Sequence, residues 1–410
     1  MPLRPILSAL WHRKTGAVLI ATQVALTLAI LCNALFIAFE RTRTASEPTG
    51  AQEADVFFVS LETPGYDTDP FEQQRRDEER VRALPGVVAV GWASQMPLNQ
   101  SGNASSIPVG DDGAPPVTAA VYAAGGSLVQ TLGLRLVAGR DFRPDEISDL
   151  DQRTTRRTPQ QVIITQALAQ RLFPQRPAAV GQTLRLGEGP DDPPLTVVGV
   201  VERLISPWGP VSWTVGDTKG EFSVILPART EERGMIAVRT EPGQLPRVRQ
   251  AVVASLKSAE PGRIVVTQQS LAETRERRYR NHRWLASLMT VVIGLLLTMT
   301  AAGIVGLASL WVTQRRKQIG VRRALGARRA DIVRHFLIEN LMITSLGVTV
   351  GLTLAVGLNQ LLAPVTNLGA LPAWALAGGG AAMLVLGALA VLGPALRAAR
   401  IAPAEATRSV

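Results

Sequence analysis

Cysteine and histidine are scarce in this chain of 410 residues, and each shortage excludes a class of site. The single cysteine, Cys32, rules out an internal disulfide. The three histidines, His12, His282 and His335, each lie beside the end of a long apolar run. The large segment between the first two runs therefore offers no histidine-based metal site or catalytic triad. We predict no catalytic residue and no metal ligand, and hence a chain that is not an enzyme.

Two further absences concern nucleotides and nucleic acids. The pattern G-x-x-x-x-G-K-[ST] occurs nowhere in the 410 residues, which excludes ATP binding by a loop of that type. The net charge of +10 could indicate a nucleic-acid partner. The excess of basic over acidic residues, however, lies at the ends of apolar runs, where a membrane protein carries it. We therefore predict no nucleic-acid partner and no cofactor within this chain.

Four apolar runs are long enough to cross a bilayer, which needs roughly 20 apolar residues. We predict transmembrane helices over residues 16–40, 284–312, 336–362 and 374–396. Tryptophans, which prefer the membrane interface, stand at the predicted span ends: Trp11, Trp284, Trp311 and Trp374. Trp284 and Trp311 are separated by about 40 Å of helix, close to the thickness of a bilayer with its headgroups.

An arginine-rich segment, residues 314–335, joins the second and third predicted spans. It carries eight basic residues against one acid, Asp331. Short basic loops remain on the cytoplasmic side, whereas the loop at 363–373 has no charge and is predicted outside. We expect a cytoplasmic N-terminal helix at 1–15, a cytoplasmic tail at 397–410, and a translocated domain at 41–283.

The translocated domain has a mixed pattern of predicted strands and helices. Strands are predicted at 55–61, 87–94, 117–123, 161–165, 195–201, 222–226, 235–239 and 263–267. Helices are predicted at 71–84, 164–173, 244–259 and 271–283, the last continuing into the second span as a stalk. The segment 97–116, rich in Ser, Asn, Gly and Pro, is predicted to be a loop. The fold class is an α-helical membrane protein with four transmembrane helices and a large mixed α/β (α+β) extracytoplasmic domain between the first and second spans.

Short motifs along the chain follow one another in the order found in a known family. The arginine-rich segment contains Gln318-Ile319-Gly320, then the run 322–327, R-R-A-L-G-A, then Asp331-Ile332. The C-terminal motif is at 394–408, and weaker matches in the large domain are at 132–142, 161–173, 180–182 and 197–201. Together these motifs resemble MacB/FtsX-type permeases of ABC transporters, with a MacB-like periplasmic core domain, an FtsX-like transmembrane domain and no fused ATPase.

The resemblance implies a permease subunit of the mechanotransmission type in a bacterial inner membrane. A separate cytoplasmic ABC ATPase, binding ATP and Mg²⁺, would drive export or efflux by changing the periplasmic domain. A second permease copy or paralogue and a periplasmic adaptor would be further partners, alongside the lipid bilayer. The residues implied in ATPase coupling are Gln318, Ile319, Gly320, Arg322, Arg323, Leu325, Gly326, Ala327 and Asp331.

Several alternatives remain open at this point. The topology also fits a LolC/LolE-type permease that extracts lipoproteins, or an FtsX-like regulator of a cell-wall hydrolase. Gln318 stands where the family usually has Glu, which hints at a heterodimer with a more typical permease. The small-residue pair Gly347 and Gly351 favours close helix contact, either between two permease copies or within one chain.

Overall fold

The computed structural model describes residues 14–62, 69–110, 114–150, 159–175, 178–187, 189, 192–209, 217, 219–231, 234–260, 262–366 and 369–400. Most of the predicted N-terminal helix and of the C-terminal tail lies outside these residues. The chain divides into two compact units: a sheet unit, Glu47–Arg280, and a membrane unit of residues up to 46 and from 281 onward.

The membrane unit contains the long helices. Helix α1 is Lys14–Ser46, α6 is Leu271–Gln314, α7 is Arg316–Ala324, α8 is Arg329–Thr366 and α9 is Ala373–Ala399. In the described part of the chain, the four helices α1, α6, α8 and α9 are long and apolar enough to span a membrane. The expectation of four transmembrane helices is therefore confirmed. Helix α6 is unbroken, so the stalk predicted from residue 271 is continuous with the second span.

Small and polar side chains hold the spans of the membrane unit together. Thr27 of α1 and Thr300 of α6 share a hydrogen bond of 2.8 Å between hydroxyls. The Asn33 amide donates to the carbonyl of Ala355 on α8 at 3.0 Å. Lipid tails offer polar groups no hydrogen-bond partner. These polar side chains therefore find their partners on neighbouring helices inside the bundle.

The sheet unit holds four further helices and, among its described residues, twelve strands. The helices are α2 at Pro70–Arg82, α3 at Leu128–Leu132, α4 at Gln166–Leu172 and α5 at Leu245–Ala259. The strands are β1 Val56–Glu62, β2 Val87–Ala93, β3 Ala104–Val109, β4 Ala114–Ala124, β5 Leu136–Gly139, β6 Ser148–Leu150, β7 Gln161–Thr165, β8 Thr183–Leu184, β9 Leu195–Val201, β10 Ser223–Thr230, β11 Met235–Thr240 and β12 Ile264–Ser270.

One mixed sheet organises these strands, in the order β12-β1-β11-β2-β4-β10-β7-β9-β5. The pairs β4–β10 and β7–β9 are parallel, and the other pairs along this path are antiparallel. Successive residues of β1 point to opposite faces, as the pleat requires. Phe57 packs in the core beneath α2 and α5, whereas Phe58 packs in the core that includes α3. A mixed α/β domain between the first two spans is therefore confirmed.

One prediction in this unit was wrong, and a second was correct in type but began two residues too early. The expected loop at 97–116 contains β3 and the start of β4, which pair as antiparallel neighbours. Ile107 is fully buried there, and the register shifts around Pro108, which has no N–H to donate. The expected helix at 164–173 begins only at Gln166, because Ile164 and Thr165 remain in β7, paired with β9.

Candidate functional site

The arginine-rich segment folds as a short helix between two long ones. Helix α7 lies between the end of α6 at Gln314 and the start of α8 at Arg329. Only Arg315 separates α6 from α7. Its N–H donates to the Trp311 carbonyl and its carbonyl accepts from the Ile319 N–H, both at 3.0 Å. Backbone hydrogen bonding therefore runs through the joint, which ties the orientation of α7 to α6.

Gly326 ends α7 in a left-handed conformation, with φ of +96°. The Gly326 N–H donates to the Arg323 carbonyl and the Ala327 N–H to the Arg322 carbonyl, each at 3.1 Å. This paired arrangement is a Schellman motif, which satisfies carbonyls that would otherwise have no partner at the helix end. A residue with a Cβ is strained at such a φ, so the Leu-Gly-Ala sequence has a structural reason at this turn.

Asp331 begins the next helix. Its carboxylate accepts from the Arg328 N–H at 3.0 Å, and its own N–H donates to the Arg328 carbonyl at 3.0 Å. A carboxylate in the first turn also interacts favourably with the positive end of the helix dipole. Asp331 therefore fixes the start of α8 and with it the shape of the turn that follows Leu325.

The apolar residues of the arginine-rich segment divide into two sets. Ile319 and Ile332 are 5% and 4% exposed and pack into the core of the membrane unit. Val321 and Leu325 are 56% and 83% exposed. Of the four, only Val321 and Leu325 face outward, and Leu325 stands at the tip of the turn.

Basic and polar side chains of the arginine-rich segment are exposed together with these two apolar residues. Arg322, Arg328, Arg329 and Lys317 are exposed, as is Gln318. Arg323 is half-buried and donates to the Ala399 carbonyl of α9 at 3.2 Å. The segment thus exposes two apolar residues, Leu325 and Val321, together with several cationic ones. Such a surface complements an apolar pocket with an acidic rim.

Gly347 and Gly351 of α8 pack against α1 of the same chain. A Cβ at Gly347 would lie 2.7 Å from the Ala21 carbonyl oxygen, and one at Gly351 would lie 2.9 Å from that of Ala25. The close helix contact that the motif predicts is confirmed, but its partner is α1 within the chain. A role of the same pair in the contact between two permease copies stays a prediction.

The sheet unit holds the first residues of α6 with a set of charged contacts that the sequence analysis missed. Arg275 donates to both carboxylate oxygens of Glu53, at 2.5 and 2.6 Å. Burial raises the pKa of Glu53, but hydrogen bonds from Arg275 and Thr49 outweigh it and hold the pKa below its ordinary value. Arg278, one turn further on, donates to the Trp208 carbonyl at 2.6 Å.

A capping box marks the start of α6. The Glu273 N–H donates to the Ser270 hydroxyl at 3.0 Å, and the Ser270 N–H donates to the Glu273 carboxylate at 2.8 Å. Arg249 of α5 donates to both oxygens of the same carboxylate at 3.0 Å. The sequence signal for this start is the spacing S-x-x-E at 270–273. The first turn of the long helix is therefore firmly attached to the sheet unit.

Among the described residues, no group of three His, Cys, Asp or Glu side chains is placed to hold a metal ion. The arrangement of the arginine-rich segment is suited to docking a partner surface, and that of Glu53 and Arg275 to holding a helix. Neither places a nucleophile beside a base.

Two family models match the chain. The model of the MacB-like periplasmic core domain matches residues 19–255, and that of the FtsX-like permease C-terminal domain matches residues 290–403. The first match covers more than half of the chain. It includes most of the sheet unit, and the second match includes the arginine-rich segment.

Curated relatives carry related names. The macrolide export ATP-binding/permease protein MacB of Agrobacterium fabrum is 30% identical over 60% of this chain and 36% of its own length. MacB of Burkholderia thailandensis is 27% identical over 59% of this chain and 35% of its own. The probable syringafactin export ATP-binding/permease protein SyfD of Pseudomonas syringae pv. syringae is 26% identical over 58% of this chain and 35% of its own. The chain thus spans about a third of the length of these relatives.

Proposed function

The chain belongs to the MacB/FtsX-type permease family, and from this premise we propose that it is the permease subunit of an ABC exporter driven by mechanical coupling. A separate cytoplasmic ATPase binds ATP and Mg²⁺ and docks on the arginine-rich segment. Its movements reach the sheet unit, which lies in the periplasm of a bacterium whose inner membrane holds the spans. Both termini are cytoplasmic in this arrangement.

The observation that carries the proposal is the exposure of Leu325. A leucine that is 83% exposed at the tip of a structured turn loses hydrophobic stabilisation unless a partner covers it. Gly326 and Asp331 fix the turn from either side, so Leu325 is presented in a defined position. A side chain that is already held in a defined position loses less conformational freedom on binding, which suits it to docking a partner.

Transmission to the periplasmic side is assigned to α6. Backbone hydrogen bonds through Arg315 link α7 to α6, and α6 continues without a break from Gln314 back to Leu271. At its other end, Glu53 and Arg275 attach the helix to the sheet unit. A movement of α7 would thus reach the periplasmic unit along one continuous helix, and substrate need not enter the bundle.

The printed names of the relatives support export as the direction of transport. Those relatives are named ATP-binding/permease proteins, whereas the 410 residues here contain no G-x-x-x-x-G-K-[ST] pattern. The proposal therefore assigns ATP binding to a partner chain. A second permease copy or paralogue and a periplasmic adaptor complete the proposed assembly.

A co-purification experiment tests the proposal. The full chain, tagged and extracted in detergent from its own host, is compared with Leu325→Asp and with the control Ala330→Asp. The control introduces the same charge at another exposed position of the arginine-rich segment. We expect an ATPase with a G-x-x-x-x-G-K-[ST] motif to be recovered with the unaltered chain and the control, and lost with Leu325→Asp. Recovery of no ATPase with the unaltered chain would overturn the proposal.

A further inference from the structure

A buried ion pair lies at the joint between α6 and α7. The Arg315 guanidinium donates to the Glu339 carboxylate of α8 at 2.7 Å. The two side chains are only 16% and 5% exposed.

Arg315 is the one residue of the arginine-rich segment that takes part in both the backbone joint and a buried charge pair. Its backbone links the last turn of α6 to the first turn of α7. Its side chain links that joint to α8, one turn beyond the buried Phe336. Three helices are therefore held at a single residue.

Helix α7 is held near both of its ends, and the ion pair is one of these attachments. Arg315 and the buried Ile319 fix its first turn, and Arg323 contacts α9, whereas Leu325 beyond its last turn is exposed. A force applied to Leu325 would thus act on a helix whose first turn is held by the ion pair and by Ile319. Breaking a buried pair leaves an uncompensated charge, so the joint has a strong preference for the paired geometry.

We propose that Arg315 and Glu339 are positioning residues that make α6, α7 and α8 move together when a partner acts on Leu325. The inference rests on the proposed function for its physiological meaning, but the geometry it describes is a property of the chain alone. With the pair intact, the first turn of α7 is attached to both α6 and α8. Without it, the first turn of α7 loses its side-chain attachment to α8.

Charge exchange separates this positioning role from a general loss of folding. The variants are Arg315→Glu, Glu339→Arg, their double exchange, and the control Arg334→Glu, which reverses an exposed charge on α8. Amide hydrogen exchange of the full chain in nanodiscs is the first readout. We expect either single variant to speed exchange across 316–324 about tenfold, with little change in α1, and the double exchange to restore protection. Unchanged exchange in the single variants, or no rescue in the double exchange, would overturn the inference.

ATP hydrolysis by the complex with the co-purified ATPase is the second readout. Single variants are expected to retain the bound ATPase but lose most of the permease-dependent change in turnover, and the double exchange to recover it. Retained coupling in the single variants would contradict the inference while leaving the proposed function intact. Failure to recover any ATPase with the unaltered chain would instead contradict the proposed function, and the exchange measurement would still decide the role of the pair.

Discussion

Ile319 and Leu325 lie six residues apart in the same short segment and have opposite surroundings. Ile319 is packed in the core of the membrane unit, whereas Leu325 is almost fully exposed. The two residues therefore have different roles in the arginine-rich segment. One attaches α7 to the chain's own helices, and the other is available to a partner.

Substitution to alanine is expected to separate these two roles. Ile319→Ala removes buried methylene groups and should destabilise the local packing by about 2 kcal/mol or more. Leu325→Ala changes an exposed side chain and should alter stability by less than about 0.5 kcal/mol. Limited trypsin digestion reports local unfolding of this segment, because trypsin cleaves after arginine and the segment is rich in arginine. Faster cleavage within 314–335 is expected for Ile319→Ala alone, and equal cleavage of both variants would contradict the assignment.

Gly347 tests the contact between α8 and α1. Gly347→Val places atoms against the Ala21 carbonyl and the Val24 side chain, and such overpacking typically costs about 1–3 kcal/mol. Gly357→Val is the matched control, since a Cβ at Gly357 meets nothing within 4 Å. Thermal unfolding in detergent should show a lower midpoint for Gly347→Val than for wild type. The midpoint of the control should be almost unchanged. A decrease of similar size in both variants would argue against this contact.

The ion pair of Arg140 and Glu146 in the sheet unit predicts a dependence on pH. Hydrogen bonds from Arg140 lower the pKa of Glu146 from 4.5 to about 2. Because the folded-state pKa is depressed, this contribution to stability is present above pH 4.5 and is lost as the pH falls towards 2. At pH 5.5, wild type should therefore have a higher thermal unfolding midpoint than Glu146→Gln. This difference in midpoint should be smaller at pH 3. The midpoint difference between wild type and Arg140→Gln should follow the same trend with pH. A midpoint difference that is as large at pH 3 as at pH 5.5 would contradict the role of this ion pair.

Arg263 and Asp77 form a pair inside the sheet unit, at 2.8 Å, with side chains 2% and 5% exposed. Burial raises the pKa of Asp77 even though the hydrogen bond from Arg263 opposes it. Arg263→Leu leaves the carboxylate buried without this partner and should cost about 3–5 kcal/mol. Removing both charges, in Asp77→Leu with Arg263→Leu, should recover most of this loss. Chemical denaturation of the full chain measures both, and a double variant no more stable than the single one would count against the pair.

The spans were predictable because each is set by a local property, the length of an apolar run bounded by charges. The continuity of α6 was likewise predictable, since nothing between 271 and 314 breaks a helix. The strands β3 and β4 were not foreseen within 97–116. Pairing between neighbouring strands determined the structure there, whereas Pro and Gly content favoured a loop.

Residues of the site were harder to assign than the segment that contains them. The motif singled out Ile319 and Leu325 together, but which of the two faces outward depends on how α7 packs against its neighbours. The partners of charged residues are also distant in sequence. Glu339 lies 24 residues from Arg315, and Glu53 lies 222 residues from Arg275. No local pattern pairs such residues, so only the folded chain identifies them.

Photo-crosslinking from position 325 tests the central claim most directly. A photoreactive amino acid replaces Leu325 in the full chain, and Leu354, an exposed residue of the third span, is replaced in the control. The account predicts that position 325 crosslinks to a protein with a G-x-x-x-x-G-K-[ST] motif and that position 354 does not. No crosslink from position 325 to such a protein, in membranes where that protein is present, would contradict the account.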